Sequence, residues 1–171
     1  MGCDFRLVAF DNGLGHFLAG LGRSIVSTEI LQPVAVLIAW SLIMLLWMVL
    51  VRLPAMKRAG IDINKVVGGK PGGLDGVIDD KAQWPAHNYI HLMEQPTIFY
   101  AAAFLLAFVG DGHGLNAMIA WAYVGLRIVH SLIQATSNII RFRFLAFALS
   151  TLCMIALSLH ALIAVFSIHG A

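Results

Sequence analysis

Residues 30–51 read ILQPVAVLIAWSLIMLLWMVLV, a run without a single acidic or basic side chain. Wound as a helix at about 1.5 Å per residue it reaches about 33 Å, enough to cross the roughly 30 Å hydrocarbon core of a bilayer. Working outward, three more stretches of similar length follow, at 87–109, 115–140 and 144–168. The whole chain, 171 residues, is 60% hydrophobic and only 12% charged, which excludes an ordinary water-soluble globule. The expected fold is therefore all-α, an integral membrane four-helix bundle with helices at about 27–51, 87–109, 115–140 and 144–168. These form one domain from 27 to 168, preceded by an interfacial lead-in at 1–26. The lead-in lacks the basic start, apolar centre and cleavage site of a signal peptide, and Arg6 occupies the position where N-myristoylation wants Ser or Thr.

The segments between the apolar runs set the orientation. Residues 52–86 carry half of the charged residues and many glycines and read as a long polar connection. A glycine break at Gly110-Asp-Gly-His-Gly114 permits only a tight hairpin, and Arg141-Phe-Arg143 separates the last two helices. Arg52, Lys57, Arg58, Lys65, Lys70, Lys81, Arg141 and Arg143 fall on one side of such a bundle, against Arg6 and Arg23 on the other. That imbalance predicts cytoplasmic connections and both termini on the non-cytoplasmic side, as in a bacterial inner membrane. A formal net charge of +2 without a basic block argues against nucleic acid as a partner. Cys3 and Cys153 suggest neither a disulfide framework nor a zinc site, and the glycine-rich 66–73 lacks Walker spacing.

The first and last helices read as lipid-facing walls. The chemistry concentrates in the middle pair, where Arg127, His130, Gln134, Asn138 and Arg141 fall within an arc of roughly 80° on the third helix. His87, His91 and Glu94 share one face of the second. An ionisable group in hydrocarbon costs about 2.5 to 3.5 kcal/mol unless it meets a partner or a wet cavity, so each is a candidate for function. Glu94 is the expected counter-ion of Arg127, and the surplus of donors calls for a polar or anionic ligand. Pro96 should interrupt the second helix just beyond Glu94. His160, alone in the last helix, is expected to hydrogen-bond a neighbouring helix, and Cys153 to be an inert thiol.

The segment His91-Leu-Met-Glu94-Gln-Pro96-Thr-Ile-Phe99-Tyr100, followed by Arg127-Ile-Val-His130, resembles the membrane-associated proteins of eicosanoid and glutathione metabolism, the MAPEG family. The resemblance spans roughly residues 28 to 168. It implies a homotrimer in a lipid bilayer with glutathione held between neighbouring subunits, acting as a glutathione S-transferase or peroxidase on a lipophilic small-molecule substrate. On that resemblance Arg52, Glu94, Arg127 and His130 match the family's glutathione contacts. Arg143 matches the arginine beside the glutathione sulfur, the catalytic position. Asn88, His91, Gln134, Asn138 and Arg141 are further expected contacts. Glutathione carries two carboxylates and an ammonium, which several arginines and one glutamate suit, and a guanidinium beside the thiol favours the nucleophilic thiolate.

The chain departs from the family pattern at three places. His91 stands where many members have asparagine, with Asn88 one turn earlier as a substitute; Gln134 replaces a tyrosine; Phe144 follows Arg143 where the prostaglandin synthase has serine. These departures support an alternative, a non-catalytic subunit or scaffold of a larger assembly with other membrane subunits. A haem or metal protein built on His87, His91, Glu94 and His130 is a more distant rival, because a guanidinium at Arg127 would repel a cation.

Overall fold

A computed structural model describes residues 26–70 and 72–167; the lead-in lies outside the described residues apart from Val26. Five helical segments follow one another: α1 Leu31–Arg58, α2 Asp80–Glu94, α3 Pro96–Phe108, α4 Leu115–Thr136 and α5 Ile140–Ser167. No strand occurs among the described residues. Helices α2 and α3 are one bent rod, since Gln95 between them keeps helical dihedrals of −62° and −41° while Pro96 has no N–H for the carbonyl of Leu92. The molecule is thus a four-rod helical bundle. Helices α1, α4 and α5 are long and apolar enough to cross a membrane.

The helix limits differ from those expected, each for a local reason. α1 runs to Arg58 rather than Val51, because arginine and lysine are good helix formers and the stop signal comes only at Gly60. There Ile61 N–H donates to Met56 O at 3.0 Å and Gly60 N–H to Lys57 O at 3.1 Å, with Gly60 at φ 74°. This is a Schellman turn that needs the left-handed backbone glycine supplies. α2 starts at Asp80, not residue 87, because Asp79 caps it, its carboxylate accepting from Lys81 N–H at 3.2 Å. α4 ends at Thr136 rather than 140, since Asn138 turns left-handed at φ 50°. α5 accordingly begins at Ile140, not 144, and takes Arg141 and Arg143 into its first turn.

α4 is the centre of the packing, touching α5, α1 and α2, while the rod meets α1 through α2 and α5 through α3. Leu37, Met44, Leu92, Phe99, Leu106, Tyr123 and Leu157 fill the space between, and Phe99 stacks on Tyr123 at 4.3 Å between ring centroids. Only 22% of the apolar window of α1 and of α5 is buried, against 44% in α4, so the outer pair forms the lipid-facing walls. The long connection is more than a polar link: Ile61, Leu74 and Ile78 pack with Ala55 and Ala82 as a small second core. Gln83 ties it down by donating to Leu74 O at 3.0 Å.

At the opposite end the chain is stitched to the glycine hairpin. Ser27 N–H donates to Ala107 O and Ile30 N–H to Gly112 O, both at 3.0 Å. His160 does hydrogen-bond a neighbouring helix, through Asn116 of α4, whose amide donates to Asp111 O at 2.7 Å. Gly112 sits where a Cβ would come within 2.6 Å of the Ile30 side chain. Gly112→Ala should therefore destabilise the bundle by about 1–3 kcal/mol. Gly125→Ala, on an exposed face of α4 with nothing within 4 Å of an added Cβ, should stabilise it by up to about 1 kcal/mol. Thermal unfolding of both variants in detergent checks the contrast.

Candidate functional site

The polar stripe of α4 faces inward. Arg127 is 1% exposed, and His130, Ser131 and Gln134 are buried with it. Its guanidinium is not paired with Glu94. Nη1 donates to Gln95 Oε1 at 2.9 Å and Nη2 to the backbone carbonyl of His91 at 2.8 Å. Helical spacing assigned both residues to facing stripes, but the rod's rotation points Gln95, one position further on, at Arg127. Gln95 in turn donates from Nε2 to Thr151 Oγ1 on α5 at 2.7 Å. The bend is thereby fastened to α4 and α5 at once. Gln95 was not among the expected site residues, although its place immediately before Pro96 marked it.

Glu94 instead lies on the outer surface of the rod, where its Oε2 is 3.3 Å from His91 Nδ1, one turn back. Both side chains are exposed, at 62% and 46%. Beside them, the start of α5 completes a cleft of about 200 Å³ lined by His91, His130, Arg143, Ile140, Phe144 and Phe147. The rings of His91 and His130 meet edge to face with centroids 6.2 Å apart, and Phe147 lies 6.1 Å from His130 on the other side. His130 is fully engaged. Its Nδ1 lies 3.0 Å from the Arg143 carbonyl and its Nε2 3.1 Å from Gln134 Oε1, an acceptor on either side of the ring.

Arg143 reaches the cleft half-buried, with Nη1 donating to Asn138 Oδ1 at 2.7 Å. The left-handed backbone at Asn138 is what turns that carboxamide back towards α5. Asn138 thus belongs to the site as the anchor of Arg143, not as a member of a helical face. The remaining expected contacts are elsewhere within the chain. Asn88 is fully buried, and both its side-chain polar atoms lack a partner among the described residues, as do Ser131 Oγ and Arg127 Nε. Arg52 is half-buried on α1 and does not line the cleft. Arg141 is exposed, its guanidinium 4.5 Å above the Phe142 ring. His87 turns to the long connection, 3.7 Å from Asp75. Among the described residues no group of three or more His, Cys, Asp or Glu side chains is placed to hold a metal ion.

The arrangement is a half-buried guanidinium and an exposed imidazole–carboxylate pair around an aromatic cleft, on helices apolar enough to span a bilayer. The sequence model of the MAPEG family matches residues 30–163, most of the chain. The chain belongs to the MAPEG family. No curated protein and no solved structure matches it. As a MAPEG protein it is a membrane protein, and its match runs from the start of α1 to near the end of α5, taking in every residue of the cleft.

In this MAPEG chain the buried guanidinium holds the bend. Arg127→Ala should cost about 3 kcal/mol or more, because the Gln95 carboxamide and His91 carbonyl lose charge-assisted bonds and a void remains. Thr151→Val removes the acceptor of Gln95 together with the hydroxyl's own bond to Phe147 O, leaves Arg127 in place, and should cost about 1 kcal/mol. Thermal unfolding in detergent gives the order.

Proposed function

We propose that the chain binds glutathione, or an anionic thiol of similar charge, at the His91–Arg143 cleft and conjugates it through its sulfur to lipophilic electrophiles, or reduces lipophilic peroxides with it. The observation that carries this reading is Arg143. It is a guanidinium anchored by Asn138 at 2.7 Å and lining an aromatic cleft at the end of a spanning helix. Family membership over residues 30–163 supports it. The residues present suit the tripeptide: Arg143 for a thiolate or carboxylate, Glu94 for the ammonium, and Phe144 and Phe147 as an apolar wall for the electrophile.

One chain holds only part of such a site. Its cleft, about 200 Å³, is smaller than the roughly 300 Å³ at which ligand pockets begin. Glu94 and His91 stand exposed on the rod beside Ile90, Met93 and Ile98, which are also exposed. A carboxylate turned to hydrocarbon costs about 2.5–3.5 kcal/mol. A second copy laid over this face removes that cost, and its Arg52, which has no carboxylate within ion-pair distance among the described residues, supplies a further cation. A homotrimer in a bacterial inner membrane is the assembly we propose.

In the reaction His91 takes the thiol proton. Its Nδ1 side is directed at Glu94, which leaves Nε2 as the base, while Arg143 stabilises the thiolate. The sulfur then forms its bond to the electrophilic carbon and the leaving group departs with the bonding pair. A second reading, a non-catalytic scaffold, draws on Arg127, His130 and Gln134 being spent on contacts within the chain.

Calorimetric titration with glutathione and a conjugation assay with an aromatic halide test the proposal. Arg143→Ala should lower turnover about a hundredfold or more with the oligomer intact. His91→Gln should lose turnover near neutral pH and regain it in alkali, where the thiol ionises unaided. No heat of binding in the unmodified protein favours the scaffold reading, and undiminished turnover of Arg143→Ala removes its catalytic role.

A further inference from the structure

α1 outruns the hydrocarbon. Its charge-free stretch ends at Val51, yet the helix continues through Arg52, Lys57 and Arg58 to the turn at Gly60. Its last two turns therefore stand at the depth of lipid headgroups. Past Gly60 the chain folds back on the same helix. Ile61 packs near Val51 and Met56, and Asp62 Oδ1 pins the next turn by accepting from the Asn64 backbone N–H at 3.0 Å and its side-chain amide at 3.1 Å.

Between α1 and the returning chain lies a groove of about 820 Å³ with two kinds of lining. Leu53, Pro54, Ile61 and Ile63 make an apolar wall; Lys57, Asp62 and Asn64 make a polar mouth. Leu53 and Ile63 are 45% and 59% exposed, and Val67, just beyond, is 95% exposed. A soluble surface has no reason to present such a series of aliphatics, whereas an interfacial one does.

The charge is equally one-sided. Arg52, Lys57, Arg58, Lys65 and Lys70 face a single acid between residues 52 and 70, Asp62, and that acid is engaged with Lys65 at 3.6 Å. Neither Lys57 nor Arg58 has a carboxylate within ion-pair distance among the described residues. An unneutralised cation above an apolar wall, at headgroup depth, matches an amphiphile with an anionic head.

We propose that this groove binds an anionic phospholipid, its acyl root against Leu53, Pro54, Ile61 and Ile63 and its phosphate at Lys57 and the Asn64 amide. Arg58, Lys65 and Lys70 strengthen the local field. The site is separate from the His91–Arg143 cleft, and its occupancy does not depend on glutathione.

Native mass spectrometry of the full chain, released from detergent micelles holding equal amounts of phosphatidylglycerol and phosphatidylcholine, tests this. Phosphatidylglycerol should be retained in preference, and the preference should fall about fivefold for each charge removed in Lys57→Gln and Arg58→Gln. Lys57→Arg should keep it. Equal retention of the two lipids overturns the proposal, as does a preference that survives the double substitution. Displacement of the lipid by millimolar inorganic phosphate, or loss of subunits rather than lipid in the variants, overturns it as well. The first would make the groove a phosphate site and the second an interface between copies.

Discussion

The carboxamide of Gln95 sits between the guanidinium of Arg127 and the hydroxyl of Thr151, and the bundle is organised around that contact. Pro96 interrupts the main-chain ladder in the middle of a rod that must lie among lipid-spanning helices, where no water is at hand to pair loose polar groups. Beside the break, Arg127 donates to the His91 carbonyl, one residue before Leu92, and to Gln95. One side chain therefore fixes the rod against α4, and through Gln95 against α5. The same contact sets the rod's rotation, which turns His91 and Glu94 outward while His130, one turn along α4 from Arg127, stays inside.

Much of the architecture was legible because it follows from apolar length. Four rods, the glycine hairpin and the exposed outer walls all come from where long uncharged runs begin and end. The ends themselves were read less well, since charged residues looked like loop. Arg52, Lys57 and Arg58 continue α1, and Asp79 with Asp80 opens α2, because lysine, arginine and a capping aspartate suit a helix as well as they suit water.

The site shows a second kind of limit. Periodicity places residues on a face of their own helix but does not give the angle between helices, so it could not choose between Glu94 and Gln95 as the partner of Arg127. Charge complementarity favoured the glutamate; the bend favoured its neighbour. Asn138 and Arg141 matched the stripe of α4 only on the assumption that the helix ran to residue 140, and the left-handed backbone at Asn138 ends it first. Within the MAPEG fold the consequence is a division of labour. Arg127 and Gln134 hold the interior, whereas His91, His130 and Arg143 line the cleft and Glu94 stands exposed beside it.

The weakly apolar α2 has a consequence for assembly of the bundle. Three helices are long and apolar enough to cross a bilayer by themselves, whereas the fourth rod is interrupted at Gln95 and joins the polar α2 to the strongly apolar α3. Its polar half is held to α4 by the Arg127 guanidinium, through the His91 carbonyl and the Gln95 carboxamide. The burial of that polar half is therefore tied to the arrival of Arg127, so that rod and α4 acquire their final packing together.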